Sequence, residues 1–160
     1  MNRPKGFTLI EFIIVIVLIA ILGTMSTLML RQTFKSYVTE KQINDLATQT
    51  NMAADNVLRE LKSAGSLSAI GTSTLTFINQ QGQTIVIDLN GTTLRRNVNS
   101  TGAQTLCNNI TNLAFGFFDQ AFATTNVATN VRFITIQLTA TNNQYPYSLM
   151  GGTVLRRLLP

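Results

Sequence analysis

The 160-residue chain contains no histidine, one cysteine, three prolines and only seven acidic residues. Each shortage removes a class of function. Without imidazole there is no Ser-His-Asp or Cys-His nucleophilic system, and most zinc sites lose a principal ligand. A lone Cys107 cannot close an intramolecular disulfide, so any folded domain must hold together by packing. The acids are scattered, with no carboxylate loop of the calcium-binding kind. No glycine-rich phosphate loop follows a strand-like run. The lysines that a Ser-Lys dyad could use, Lys35, Lys41 and Lys62, read as helix surface. Catalysis, a metal site and a bound cofactor are therefore not expected.

Charge is also missing from a continuous stretch. From Phe12 to Leu30 no side chain is charged. Arg3 and Lys5 precede the run and Arg31 ends it. The 24 residues from Phe7 to Leu30 would make a helix of about 36 Å, enough to cross a hydrocarbon core of about 30 Å. That is longer than the apolar core of an ordinary secretory signal, and no small-residue cleavage site follows it. The cations on the N-terminal side predict an N-in orientation with the remainder exported. One acid, Glu11, stands at the very start of the run. A carboxylate at a bilayer centre costs about 2.5–3.5 kcal/mol on insertion scales and less near an interface, so Glu11 marks a functional position in need of a partner.

Lys5-Gly6-Phe7-Thr8-Leu9-Ile10-Glu11 resembles the processing site of type IV pilins and the related type II secretion pseudopilins. The shared features are a short basic leader ending in Gly, then Phe, Glu at the fifth position after it, and an uninterrupted apolar helix. The resemblance implies cleavage between Gly6 and Phe7 by a membrane-embedded prepilin peptidase. It implies N-methylation of Phe7 and retention of the apolar run, first as anchor and later as filament core. Glu11 would then serve subunit assembly, pairing with the Phe7 amine of a neighbouring subunit. The commonest major-pilin pattern carries Pro near the middle of this helix. Here that position is Leu28, and no Pro lies between Pro4 and Pro146, which points to a minor component.

Residues 31–64 keep helical periodicity but become amphipathic. Phe34, Val38, Leu46, Ala53, Ala54, Val57, Leu58 and Leu61 form one stripe, and charged side chains lie opposite. Lys62 in the last turn and Gly65 beyond it predict the helix end. Beyond Ser66 the period changes. Strands are expected at 74–79, 83–89 and 92–96, as an antiparallel meander with a type I′ hairpin at Asn90-Gly91. Further strands are expected at 113–118 and 131–139, with a final one over 153–158. Segments 97–109, 119–130 and 141–152 read as loops or irregular chain. The organisation is thus a cleaved leader (1–6), a transmembrane and filament-core helix (7–30), an amphipathic helix half (31–64) and a β-rich head (65–160). The fold class is α+β, a long N-terminal helix on an antiparallel head.

The head also resembles J-type minor pseudopilins and W-type or mannose-sensitive-haemagglutinin minor pilins, through Leu94-Arg95, the run from Ile110 to Asp119, and Val154-Leu155-Arg156. Arg95-Arg96 and Arg156-Arg157 occur in matching Gly-Thr-x-Leu-Arg-Arg contexts. They read as guards on edge strands, with a nucleic-acid contact as the alternative. The mature chain would carry ten cations against seven acids, too mild a balance to indicate nucleic acid by itself. Asn90, Asn99 and Asn109 head Asn-x-Ser/Thr triplets, which arise by chance in so Asn- and Thr-rich a chain. Tyr145, Pro146 and Tyr147, with the 119–130 loop, are candidate adhesive or subunit-contact surface.

The expected partners are prepilin peptidase, other pilin or pseudopilin subunits and the bacterial inner membrane, without nucleic acid. The competing reading is a membrane-tethered module whose head binds DNA or a glycan, and a third is an anchored exported protein with no filament role.

Overall fold

The computed structural model describes residues 8–142 and 145–155. Gly6 and Phe7 of the expected cleavage site, the leader cations, and Arg156-Arg157 with the end of the expected last strand lie outside the described residues. The chain divides into two units, Met1–Lys41 and Gln42–Pro160. One helix, α1 (Leu9–Lys62, 54 residues), runs through both. Ten residues earlier than the dividing point, Arg31 already interrupts the apolar sequence, but helical structure continues through it.

Within the second unit, α1 buries Leu46, Thr50, Ala53, Ala54, Val57 and Leu61. These fall three and four residues apart, one face of a 3.6-residue helix. The stripe is shorter than the sequence suggested. Phe34 and Val38 are 67% and 51% exposed, and burial begins at Leu46. Thr50 fills a core position because its hydroxyl bonds back to the Leu46 carbonyl at 2.7 Å, which leaves its methyl group to pack. Gly65 does not cap the helix. It lies inside the first strand, at a register shift between Ala64 and Ser66.

The head contains two antiparallel sheets. The first is a five-stranded meander of β1 (Ala64–Ile70), β2 (Thr74–Asn79), β3 (Thr84–Asn90), β4 (Thr93–Val98) and β5 (Ala103–Cys107), in that spatial order. The second is β6 (Ile110–Phe118), β7 (Phe133–Asn142) and β8 (Tyr145–Val154). Backbone hydrogen bonds join the sheets, from Ile110 N to Thr92 O and from Phe115 N to Thr72 O. The β2–β3–β4 meander follows the expected order. Its β3–β4 turn is different: Asn90 pairs with Thr93, so the two-residue loop is Gly91-Thr92. Only Gly91 has positive φ there (61°), the II′ pattern rather than I′.

Three segments depart from the sequence expectation. β1 and β5 lie in stretches poor in β-branched residues and are edges of the first sheet. β8 forms through Pro146 and Gly151-Gly152, where irregular chain was expected. As an edge strand it tolerates the missing proline N–H. Its glycines sit under other side chains. A Cβ on Gly151 would come within 2.8 Å of Leu58 Cδ1, and one on Gly152 within 2.6 Å of Phe133 Cζ.

The alternating inward residues of both sheets meet the helix stripe in one core. Leu75, Phe77, Ile85, Ile87 and Leu94 come from the first sheet, and Ile134, Ile136 and Leu138 from the second. Each such buried side chain contributes about 1.5–3 kcal/mol. With no disulfide, this core is what holds the head in one structure.

Candidate functional site

The helix start is built by four residues, Thr8-Leu9-Ile10-Glu11. Thr8 precedes the first helical residue, and Glu11 lies in the first turn. Glu11 Oε2 accepts hydrogen bonds from the Thr8 backbone N at 3.0 Å and from Thr8 Oγ1 at 2.9 Å. Thr8 Oγ1 also lies 3.4 Å from the Glu11 amide. This is a capping box, in which an N-cap hydroxyl and an acid three residues on satisfy one another's orphan donors. The sequence reading assigned Glu11 a partner on another subunit and missed this local one. The signal was present as Thr-x-x-Glu before an apolar run.

Beyond Glu11 the helix exposes its apolar side chains all round, from Phe12 to Leu30. The segment is long and apolar enough to cross a membrane. Its few hydroxyls are turned inward. Thr24 donates to the Ile21 carbonyl, Ser26 to Leu22 and Thr27 to Gly23, each at 2.8 Å. Hydrocarbon offers these groups no partner, so back-bonding removes most of the cost of their presence. Past Arg31, the exposed Phe34, Tyr37 and Val38 continue an apolar surface on a segment that already carries charges.

The paired arginines of β4 are not edge guards, because β5 pairs with β4 and moves it to the sheet interior. Arg95 makes a bidentate contact across to Asp88 on β3, with Nε–Oδ1 at 3.2 Å and Nη2–Oδ2 at 2.5 Å. Arg96, on the opposite face, pairs with Glu60 of α1 and also reaches Gln104 of β5. Both guanidiniums are thus engaged inside the head and offer little to a phosphate backbone. Tyr147 donates to Asn51 of α1 at 3.2 Å, so its hydroxyl serves internal packing, whereas Tyr145 is exposed. Cys107 is buried, donates to the Asn108 carbonyl, and has its thiol pKa pushed up by that burial. Among the described residues no three His, Cys, Asp or Glu side chains gather as metal ligands.

No curated protein matches the chain. Residues 1–27 match the family model of the prokaryotic N-terminal methylation motif, and the match spans the leader, Gly6-Phe7, the capping box and most of the apolar run. The chain thus carries a prokaryotic N-terminal methylation motif over residues 1–27, which reaches into a 54-residue helix whose C-terminal part packs against antiparallel sheets.

Proposed function

We propose that this chain is a structural subunit, a minor pilin or pseudopilin. Prepilin peptidase would cut it between Gly6 and Phe7 and methylate the new Phe7 amine. The subunit would then assemble through its apolar helix into a type IV pilus or a type II secretion pseudopilus. Before assembly it would sit in the bacterial inner membrane with its N-terminus inside and its head exported, the side set by Arg3 and Lys5. The observation that carries this reading is the position of the capping box within the methylation motif. Thr8 and Glu11 both lie downstream of the proposed cut, so removal of residues 1–6 leaves the helix start capped.

Processing changes the electrostatics of that start. It creates a cationic amine at Phe7 beside a helix that already holds one acid. An ionised carboxylate has about four acceptor sites, and Thr8 occupies two of them, both on Oε2. The remainder can receive the Phe7 amine of a neighbouring subunit. In an apolar helix bundle, an unpaired carboxylate and amine are each costly, and the cost is relieved only where the two coincide. Glu11 would therefore set the stagger between helices. The exposed Phe34, Tyr37 and Val38 supply further apolar surface for the same neighbours.

The test is a Glu11→Leu variant expressed with the assembly machinery. It should insert and be processed normally, yet be absent from purified filaments. Incorporation at the wild-type level would sink the assignment of Glu11 to assembly.

A further inference from the structure

We propose that Arg31, Gln32 and Lys35, just past the apolar run, bind the phosphodiester headgroup of an acidic phospholipid, with Leu28 packed against its glycerol and first methylenes. The proposal rests on the reading of the apolar helix as a membrane anchor.

Leu28, Arg31, Gln32 and Lys35 recur at three- and four-residue spacing, so they share one face of α1, where they line a surface depression of about 510 Å³. All four are exposed. The two cations have no acid beside them, because the chain carries none between Glu11 and Glu40. Among the described residues the ion pairs join Arg95 to Asp88 and Arg96 to Glu60, and neither Arg31 nor Lys35 takes part in one. Two positive charges, a carboxamide donor and an apolar floor thus face one space without a carboxylate of their own chain.

Insertion does not require these cations. In the orientation set by Arg3 and Lys5, Arg31 and Lys35 follow the span on the exported side, against the positive-inside tendency. Removal of residues 1–6 sharpens the contrast, because the processed anchor is then flanked by cationic side chains on that side alone.

Depth along the helix selects the partner. At 1.5 Å per residue, a run from Phe7 to Leu30 centred on a bilayer places the Arg31 backbone about 19 Å from the midplane and that of Lys35 about 25 Å. Lipid headgroups occupy roughly the layer from 15 to 22 Å. Helical side chains lean towards the N-terminus, here towards the membrane, so the long arm of Lys35 reaches back into the layer where Arg31 already lies.

The chemistry of that layer fits the face. A phosphodiester offers one negative charge and two unbridged oxygens. The Arg31 fork can take both oxygens, the Lys35 ammonium adds a point charge, and the Gln32 amide donates a further hydrogen bond. A zwitterionic headgroup brings its own ammonium, which this face has no carboxylate to receive. An acidic phospholipid neutralises the face without one.

The chain has no tryptophan, so Leu28→Trp keeps the floor of the depression apolar and supplies a single fluorescent reporter there. The full-length reporter protein is reconstituted in phosphatidylcholine vesicles that contain either brominated phosphatidylglycerol or brominated phosphatidylcholine, which quench on contact, at matched mole fractions. We expect phosphatidylglycerol to be preferred about fivefold or more, the contribution of a single cation at an anionic surface. Adding Arg31→Gln with Lys35→Gln should remove the preference. Adding Lys41→Gln, which removes a cation outside the depression, should leave it unchanged. Equal quenching by the two lipids, or a preference that survives the double substitution, overturns the proposal and leaves the anchor standing. A preference lost equally with Lys41→Gln overturns it in favour of diffuse attraction. Absence of quenching by either lipid overturns the anchor reading and the proposal with it.

Discussion

Glu60 of α1 and Arg96 of β4 form an ion pair whose side chains are only 24% and 23% exposed, and it ties the helix to the five-stranded sheet. Removing one member strands the other. Arg96→Ala should destabilise the head by about 1–3 kcal/mol, less than the 3–5 kcal/mol of a fully buried pair because solvent still reaches this one. The matched apolar replacement, Glu60→Leu with Arg96→Met, should be close to neutral. Arg95→Ala, which breaks a cross-strand pair with Asp88 of the kind worth about 0.2–1 kcal/mol, should cost less than Arg96→Ala. Urea unfolding of the three variants checks the order, and equal losses for Arg95→Ala and Arg96→Ala would contradict it.

The capping box separates two roles of Glu11 that a simple deletion confounds. Glutamine can complete a capping box but carries no charge. Glu11→Gln should therefore keep the helix start and membrane insertion while failing to enter filaments. Thr8→Ala should do the reverse. It loses a cap worth about 1 kcal/mol, which frays the first turn, but retains the charge and at least partial incorporation. Full incorporation of Glu11→Gln would show that Glu11 acts through the cap alone.

Gly151 lies where β8 passes under Leu58 of α1. Gly151→Ala should destabilise by about 1–3 kcal/mol through overpacking. Leu58→Ala should rescue part of that loss by vacating the space. A double-mutant cycle measures the coupling, and strict additivity would rule the contact out.

Burial raises the Cys107 pKa, so the folded state favours the neutral thiol. Its contribution to stability is fully present below the ordinary thiol pKa and is lost as pH rises through the folded value. Alkylation of native protein at neutral pH should be slow and should accelerate on unfolding. Cys107→Ser should flatten the fall in stability at alkaline pH, as followed by thermal unfolding across that range.

Much of this architecture was legible in the sequence because it follows from periodicity. Thr84 to Asp88 and Ile134 to Leu138 alternate in burial, and their strands lie where the pattern placed them. The missed strands depend on neighbours that periodicity cannot see. Gly151 and Gly152 read as a break until Leu58 and Phe133 cover them. β5 is exposed and polar at its start and is a strand only because β4 pairs with it. Arg95 and Arg96 looked like edge charges because β5 was not foreseen. Phe34 and Val38 match the helix stripe in spacing, but the buried face begins only at Leu46. At the helix start, Glu11 stands out through its cost in lipid, whereas its local partner Thr8 is legible only through the Thr-x-x-Glu pattern that heads the apolar run.

The central claim is that residues 1–6 are removed and the apolar helix is kept. Intact-mass spectrometry of the protein purified from bacterial membranes, with and without an active prepilin peptidase, measures this directly. The account predicts a chain of residues 7–160 bearing one N-terminal methyl group when the peptidase is active, and the full 160-residue chain when it is not. An unprocessed chain in both cells, or a cut downstream of the apolar helix, would contradict it.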